Sequence, residues 1–407
     1  MSAGRGALPH GHSTPRQFFD PRVSVVYIPW MRKSSRRCTH ARAALWLVSA
    51  VMLLSCSKPT TAAGELAQSL DGYFRGQFPA DEPGGAVLVG KRGRVVFARG
   101  YGLADLKTRQ PISTQTLFNL GSITKTFVAN AVLVLQEQGK LSVEDGLLKY
   151  FPGFKNKDIA SQVKLKHLLT HTSGLPDNRD IAKNAAFYLT ARDAESWYPV
   201  TQADALVFEP GSRFEYSNPA FNALALIVEQ VSGTKWQTFV RDKIFLPAGM
   251  TTSTITDGAH PETGVAHGYV KDHGQWAEAD YGEVPAFAAA GNGGGWSSVE
   301  ELARYEQALH KSVFLKPGTI ADSRTVKKFN NWADSNPPMV GWSWFIKQTD
   351  DHLLSIGHEG SQGGFLSSYV TLPEKELLIV ILTNTPRDEK AFVHEVMEAL
   401  KKANWLD

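Results

Sequence analysis

From Phe127 to Leu135 the chain reads Phe-Val-Ala-Asn-Ala-Val-Leu-Val-Leu, apolar nearly all round a helix, and the pattern stops at Gly139. A helix without a polar face has to be buried on every side, so the rest of the chain must be built around it. Directly before it stands Ser122-Ile-Thr-Lys125. Residues three apart on a helix share a face, which brings the lysine amine within reach of the serine hydroxyl. A serine nucleophile that lacks a histidine base needs such a neighbour. Ser122 would also sit at a helix N-terminus, where free N–H groups and the positive dipole end favour negative charge. An ordinary N-cap serine followed by a surface lysine gives the same letters, so the motif alone leaves both readings open. Ser161-Gln-Val-Lys164 and Ser232-Gly-Thr-Lys235 match the spacing too. The first precedes a mixed segment that reads as a strand and the second a helix end, so both read as surface residues.

Strand and helix signals around this core run in a definite order. Glu65 to Phe78 has helical spacing at Leu66, Leu70 and Tyr73, and Ala86–Val89 with Val95–Ala98 reads as a hairpin. The stretch from about 140 to 290 is loop-rich, with one clear helix at Pro219–Val231; Glu300–His310 is another helix. Three strands close the chain at His352–Gly357, Phe365–Leu372 and Leu377–Thr383, the last two joined by Pro373–Glu376. Strands at both ends with helices between them predict an α+β fold. One antiparallel sheet is assembled from the two chain ends, flanked by helices and carrying an inserted helical lobe.

The formal net charge of +3 is misleading. Residues 1–56 hold eight of the 43 Lys/Arg and one of the 40 acids, which leaves 35 basic and 39 acidic residues in the body. That body carries no basic run of the kind nucleic acid needs, and a nucleic-acid partner is not expected. The excess charge is a leader. Arg32, Lys33, Arg36, Arg37 and Arg42 precede the apolar run Ala43–Leu54, which is short for a membrane span and of the length of a secretory signal. It ends in Leu-Leu-Ser-Cys56, similar to the bacterial lipoprotein signal that is cleaved before a lipid-bearing cysteine. We therefore expect a leader over 1–56 (with 1–30 an upstream extension and Met31 the working start), a tether over 57–64 and one catalytic-type domain over 65–400. Export to the periplasmic side of a bacterial membrane, with a lipid on Cys56, is the expected location. Ser57 after the cysteine favours the outer membrane of a Gram-negative cell. The one other cysteine, Cys38, lies inside the leader, so the mature chain is expected to hold no disulfide.

Two further motifs carry polar chemistry. Tyr216-Ser-Asn218 is the one Y-x-N of the chain; it follows the turn signal Pro210-Gly211 and precedes Pro219, read as the first residue of a helix. In an extended segment Tyr216 and Asn218 point to one side. Asn218 can equally be a helix cap and Tyr216 a half-buried aromatic. His358-Glu359-Gly360-Ser361 follows Gly357, where the strand reads as ending in a glycine-rich bend, and a surface turn is the plain alternative. No H-E-x-x-H, C-x-x-C or G-x-S-x-G occurs, so neither a metal site, a cofactor nor an α/β-hydrolase elbow is expected.

Taken in order, Ser-x-x-Lys, Tyr-x-Asn and His-x-Gly resemble the serine β-lactamase and penicillin-binding protein superfamily. Within it the chain looks like the class C β-lactamases and their relatives among esterases, D-aminopeptidases and D,D-carboxypeptidases. Leu168-Leu-Thr-His-Thr-Ser-Gly-Leu-Pro176, Phe208–Asn218 and Gly293-Gly-Gly-Trp-Ser-Ser298 are similar to further phrases of that branch. The resemblance implies that Ser122 attacks a carbonyl and forms an acyl-enzyme. Lys125 would serve as base if burial and a neighbouring positive charge keep it neutral, with Tyr216 the alternative first proton acceptor. Tyr216 would pass a proton, and Asn218 would bond Lys125 or the substrate. The N–H groups of Ser122 and Ser361 would form the oxyanion hole. His171, in the Leu-Thr-His phrase, reads as structural.

One departure bears on substrate. Class C β-lactamases carry Lys-Thr-Gly where this chain has His358-Glu359-Gly360. A histidine is mostly neutral near pH 7, and Glu359 would repel a substrate carboxylate if it faces the pocket. The expectation is thus a serine hydrolase acting on an ester, amide or peptide bond of a small molecule or peptide. A class C-like β-lactamase and a D,D-carboxypeptidase are the alternatives within the enzymes, and a non-catalytic penicillin-binding-type lipoprotein the alternative outside them.

Overall fold

Leu377–Thr383 is buried along its whole length, which requires cover on both faces of the sheet it belongs to. The computed structural model describes residues 62–179, 192–256, 261, 263–279 and 291–406; the expected leader, Cys56 and residues 57–61 of the expected tether lie outside them. The sheet has six antiparallel strands. Strands β1 (Gly85–Lys91) and β2 (Arg94–Tyr101) come from the N-terminal side. The others are β3 (Phe345–Gln348), β4 (Leu354–Gln362), β5 (Phe365–Leu372) and β6 (Leu377–Thr383). Their spatial order is β3-β4-β5-β6-β1-β2, so β1 pairs with β6 and the two chain ends are zipped together from Gly85↔Thr383 to Lys91↔Leu377. The α+β arrangement read from the sequence is the one observed.

Alternation along the strands sorts the core into two layers. Val87, Val89, Ile379 and Ile381 meet Leu66, Leu70 and Phe74 of helix α1 (Ala62–Gln77) and Phe392, Val396 and Leu400 of helix α7 (Glu389–Lys402). Ala86, Leu88, Leu378, Val380 and Leu382 face the other way, towards the lobe. There helix α2 (Thr124–Glu137) is buried from Thr124 to Leu135, as its all-round apolar sequence demands. Each large apolar side chain so covered contributes about 1.5–3 kcal/mol. Around it pack α3 (Asp193–Thr201), α4 (Asn218–Ser232), α5 (Trp236–Val240) and α6 (Val299–His310). Among the described residues no helix is long and apolar enough to cross a membrane.

Four local expectations need correction. Ala62–Gly64 lie in α1, so the tether expected over 57–64 does not extend to Gly64. Ser161 lies in a helix, Lys157–Gln162, capped by Asn156, rather than before a strand. The helix that was to start at Pro219 starts at Asn218, and its cap is Ser217, whose hydroxyl accepts from the Ala220 N–H. Most consequentially, the strand read as His352–Gly357 is Leu354–Gln362, so His358–Ser361 lie inside it, and the bend comes at Gly363-Gly364.

Candidate active site

A 3-10 turn, Gly121–Ile123, leads into α2, and no side chain caps either start. The Ser122 hydroxyl is therefore free of capping duty; it accepts a hydrogen bond from Lys125 Nζ at 3.0 Å. Ser122 is half-buried, whereas Lys125 is wholly buried in the apolar wall of α2. An ammonium without water around it is destabilised, so burial, with the nearby Arg179 guanidinium adding to it, holds the Lys125 pKa well below the usual lysine range. Arg179 itself is buried, in a two-point pairing with Asp177. The second hydrogen bond of Lys125 goes to the Asn292 carbonyl at 2.7 Å. A neutral amine in this place can accept the Ser122 proton.

Tyr216 lies across the same amine: Lys125 Nζ is 5.0 Å from the centroid of its ring. The ring stacks on His171 at 4.4 Å, and Phe345 adds a further parallel ring at 6.5 Å. His171 is fully buried, with its pKa pushed well down by desolvation and by Lys125. Its Nδ1 accepts from the Ser217 N–H at 3.0 Å and its carbonyl from the Glu215 N–H at 2.8 Å. The carbonyls of Thr172 and Gly174 take the Gly211 and Val207 N–H groups in the same way. The two sequence phrases, 168–176 and 208–218, are thus laced into one unit that presents Tyr216. The structural reading of His171 fits this. Asn218 begins α4 beside Tyr216 and is half-buried; the two hydrogen bonds of Lys125 go to Ser122 and Asn292 rather than to Asn218.

Strand β4 runs past the 3-10 turn at the closest approach a backbone allows. A Cβ on Gly360 would lie 2.0 Å from the Leu120 carbonyl oxygen and 3.0 Å from the Ser122 nitrogen; one on Gly121 would lie 2.6 Å from the Ser361 nitrogen. Only glycine fits at either place, and Gly121 also has φ +49°. Ser367 of β5 donates to the Leu120 carbonyl at 2.8 Å and pins the contact. Pairing with β3 ends at Gly357, so β4 has β5 as its strand partner over 358–362. This contact sets the Ser122 nitrogen beside Gly360 and the Ser361 nitrogen beside Gly121, the two N–H groups that the resemblance implies for an oxyanion.

The two faces of β4 divide the remaining motif residues. His358 pairs with Tyr369 on the lobe face; it is buried, and desolvation with Lys125 lowers its pKa to about 3. Its Nδ1 lies 2.6 Å from the Glu359 carbonyl, which a neutral ring serves by donating. Glu359 pairs with Ser368 on the opposite face. There it lines a cavity of about 310 Å³ with Val370, Lys390, Val393 and Met397, towards α7. It does not face the Lys125 side, so the repulsion expected between Glu359 and a substrate carboxylate is not supported. The neutral His358 remains as the one departure bearing on substrate.

Sequence reasoning missed three contributors. Arg179 has no motif around it, Asp193 lies in an unremarked helix start, and the Asn292 acceptor is a carbonyl, which no side-chain pattern reports. Among the described residues no group of three or more His, Cys, Asp or Glu could hold a metal ion.

Comparison with known proteins fits this geometry. A family model described as Beta-lactamase matches residues 76–403. Penicillin-binding protein 4* of Bacillus subtilis (strain 168) is 27% identical over 326 residues, 75% of this chain and 68% of its own length. Protein flp of Staphylococcus aureus (strain MW2), 27% identical over 312 residues, is spanned over 59% of its own length. Among solved structures, the penicillin binding protein from Bacillus halodurans superposes with a TM-score of 0.67 at 26% identity, covering 83% of this chain and 98% of that one. The D-amino acid amidase from Ochrobactrum anthropi SV3, solved with L-phenylalanine amide, reaches a TM-score of 0.70 over 84% and 99% of the two chains; at 20% identity this is a likeness of fold.

Proposed function

The chain belongs to the beta-lactamase family of serine hydrolases, and on that premise we propose that it is an exported, lipid-anchored enzyme that hydrolyses an ester or amide bond through an acyl-enzyme on Ser122. The observation that carries this reading is the 3.0 Å hydrogen bond between the Ser122 hydroxyl and a wholly buried lysine. Neutral Lys125 takes the proton as Ser122 Oγ bonds to the carbonyl carbon. Charge develops on the carbonyl oxygen, beside the N–H groups of Ser122 and Ser361. As the tetrahedral species collapses, the carbon–oxygen or carbon–nitrogen bond breaks, Tyr216 hands the leaving alcohol or amine its proton, and protonated Lys125 restores the Tyr216 hydroxyl, leaving both groups as they began. Water then attacks the acyl carbon in the same site, releasing the acid and returning the proton to Ser122. The direct bond to Ser122 and the depressed pKa favour Lys125 over Tyr216 as the first proton acceptor.

A neutral ester or amide suits the site because His358 carries no positive charge to hold a carboxylate. Acylation by β-lactams is the second reading, favoured by the relative named as a penicillin-binding protein. Labelling with a fluorophosphonate and with a fluorescent penicillin, each on wild type and Ser122→Ala, separates the readings. Fluorophosphonate labelling lost in Ser122→Ala, with ester turnover and no penicillin label, supports the ester or amide reading. Rapid β-lactam turnover replaces it with the second. No label from either probe refutes catalysis and leaves a binding lipoprotein. The anchor is tested by palmitate incorporation, which Cys56→Ala should abolish.

A further inference from the structure

The hydrogen bond from Lys125 to the Asn292 carbonyl depends on the direction in which a backbone segment points. One residue earlier, the Gly291 N–H donates to Asp193 Oδ1 at 2.8 Å. Asp193 is the first residue of α3 and is buried. The same oxygen accepts from Asn222 Nδ2 of α4 at 2.7 Å, and Oδ2 accepts from Trp236 Nε1 of α5 at 2.8 Å. One carboxyl group therefore ties three helices of the lobe to the backbone beside the Lys125 acceptor. The segment is seated flush on α4: a Cβ on Gly291 would lie 2.2 Å from the Phe221 carbonyl oxygen.

A simple clasp between helices does not need a charge. Neutral amides would satisfy the Asn222 and Trp236 donors at far smaller desolvation cost. Among the described residues no lysine, arginine or histidine forms an ion pair with Asp193, and three N–H donors alone compensate it. Burial, with Glu229 acting in the same direction, raises its pKa to about 7 against those three donors.

We propose that Asp193 is a positioning residue for Lys125: its carboxylate fixes the Gly291–Asn292 backbone, and the Asn292 carbonyl thereby holds Lys125 Nζ against the Ser122 hydroxyl. This rests on the reading of Lys125 as the base.

Asp193→Asn keeps the shape but turns at least one amide N–H towards donors. The full mature chain is assayed with p-nitrophenyl butyrate and with a fluorophosphonate between pH 5 and 9. The expected kcat falls about ten- to a hundredfold, with KM within about twofold, as for a misplaced reacting group. The acidic limb of the profile moves to lower pH, because losing the Asn292 carbonyl acceptor disfavours protonated Lys125. Trp236→Phe removes a donor to the same carboxyl group but leaves the Gly291 bond; its Tm should fall while the limb stays in place. An Asp193→Asn profile that superimposes on wild type after scaling overturns the proposal. Amide exchange at Gly291 in the wild type gives a test that needs no folded variant: protection at pH 8 supports the link and free exchange refutes it. A wild type that neither labels nor hydrolyses ester defeats the catalytic reading itself, which is a different result from an active wild type with an unmoved limb.

Discussion

Arg179 and Lys125 are both buried, and the guanidinium adds its charge to the desolvation that holds the lysine pKa well below its usual range. Two positive charges in one poorly solvated region repel, and the lysine is the one that can release a proton. Arg179→Gln removes that repulsion, so the Lys125 pKa rises. Below its pKa the lysine is protonated and cannot act as base. The acidic limb of the ester-hydrolysis profile should therefore move to higher pH, with the rate at pH 7 reduced and recovered in alkaline buffer. A limb that does not move would remove Arg179 from the account.

Lys125→Met replaces a buried amine by an apolar chain of similar length. Hydrolysis should fall about 10²–10⁴-fold, the usual contribution of a positioned base. Stability should hold or rise by about 1 kcal/mol, because a buried polar group is exchanged for a packed one. Paired thermal denaturation and turnover measurements check it; a variant that loses activity only by unfolding would contradict the assignment.

Gly360→Ala places a methyl 2.0 Å from the Leu120 carbonyl oxygen, so β4 must retreat from Ser122. Loss of one oxyanion donor costs about 10²–10³ in kcat, and the overpacking costs about 1–3 kcal/mol of stability. Fluorophosphonate labelling rates against chemical denaturation separate the two effects. Near-normal labelling in a folded variant would argue against Ser361 as a donor.

The pKa of His358 is lowered from 6.5 to about 3, so the folded state holds it neutral while the unfolded chain protonates it below 6.5. Its stabilising contribution is present in full above pH 6.5 and is lost as pH falls from there towards 3. His167, lowered to about 4, acts in the same sense. Asp193, raised from 3.8 to about 7, acts oppositely: its contribution is present below 3.8 and is lost as pH rises to 7. In His358→Gln the slope of unfolding free energy against pH between 6.5 and 4 should be shallower by roughly 1.4 kcal/mol per pH unit, the effect of one proton. Denaturant titrations at four pH values suffice, and an unchanged slope would mean that His358 is already protonated in the folded protein.

The most consequential difference between sequence and structure comes from the double use of glycine. Gly357 and Gly360 read as a bend because glycine punctuates loops. In the fold they lie inside β4, where a Cβ on Gly357 would meet the Tyr369 carbonyl oxygen at 2.2 Å and one on Gly360 the Leu120 oxygen. Close backbone packing demands glycine as firmly as a turn does, and only the neighbour across the gap tells the two apart. The cap of α4 went to Ser217 rather than Asn218 for a separate, smaller reason, a one-residue shift in where helical geometry begins.

What the sequence determined is what short-range periodicity can encode. Three-residue spacing put Ser122 and Lys125 on one face, an all-round apolar run required α2 to be buried, and strands at both chain ends implied the shared antiparallel sheet. Tertiary structure alone decided which charges surround the lysine and which residues share its side of the sheet. Arg179 and Asn292 reach Lys125 across 54 and 167 positions, and Glu359 is turned away by a strand register set through β5. Such contacts depend on how buried surfaces pack, and the desolvation that lowers the Lys125 pKa does not exist until they have packed.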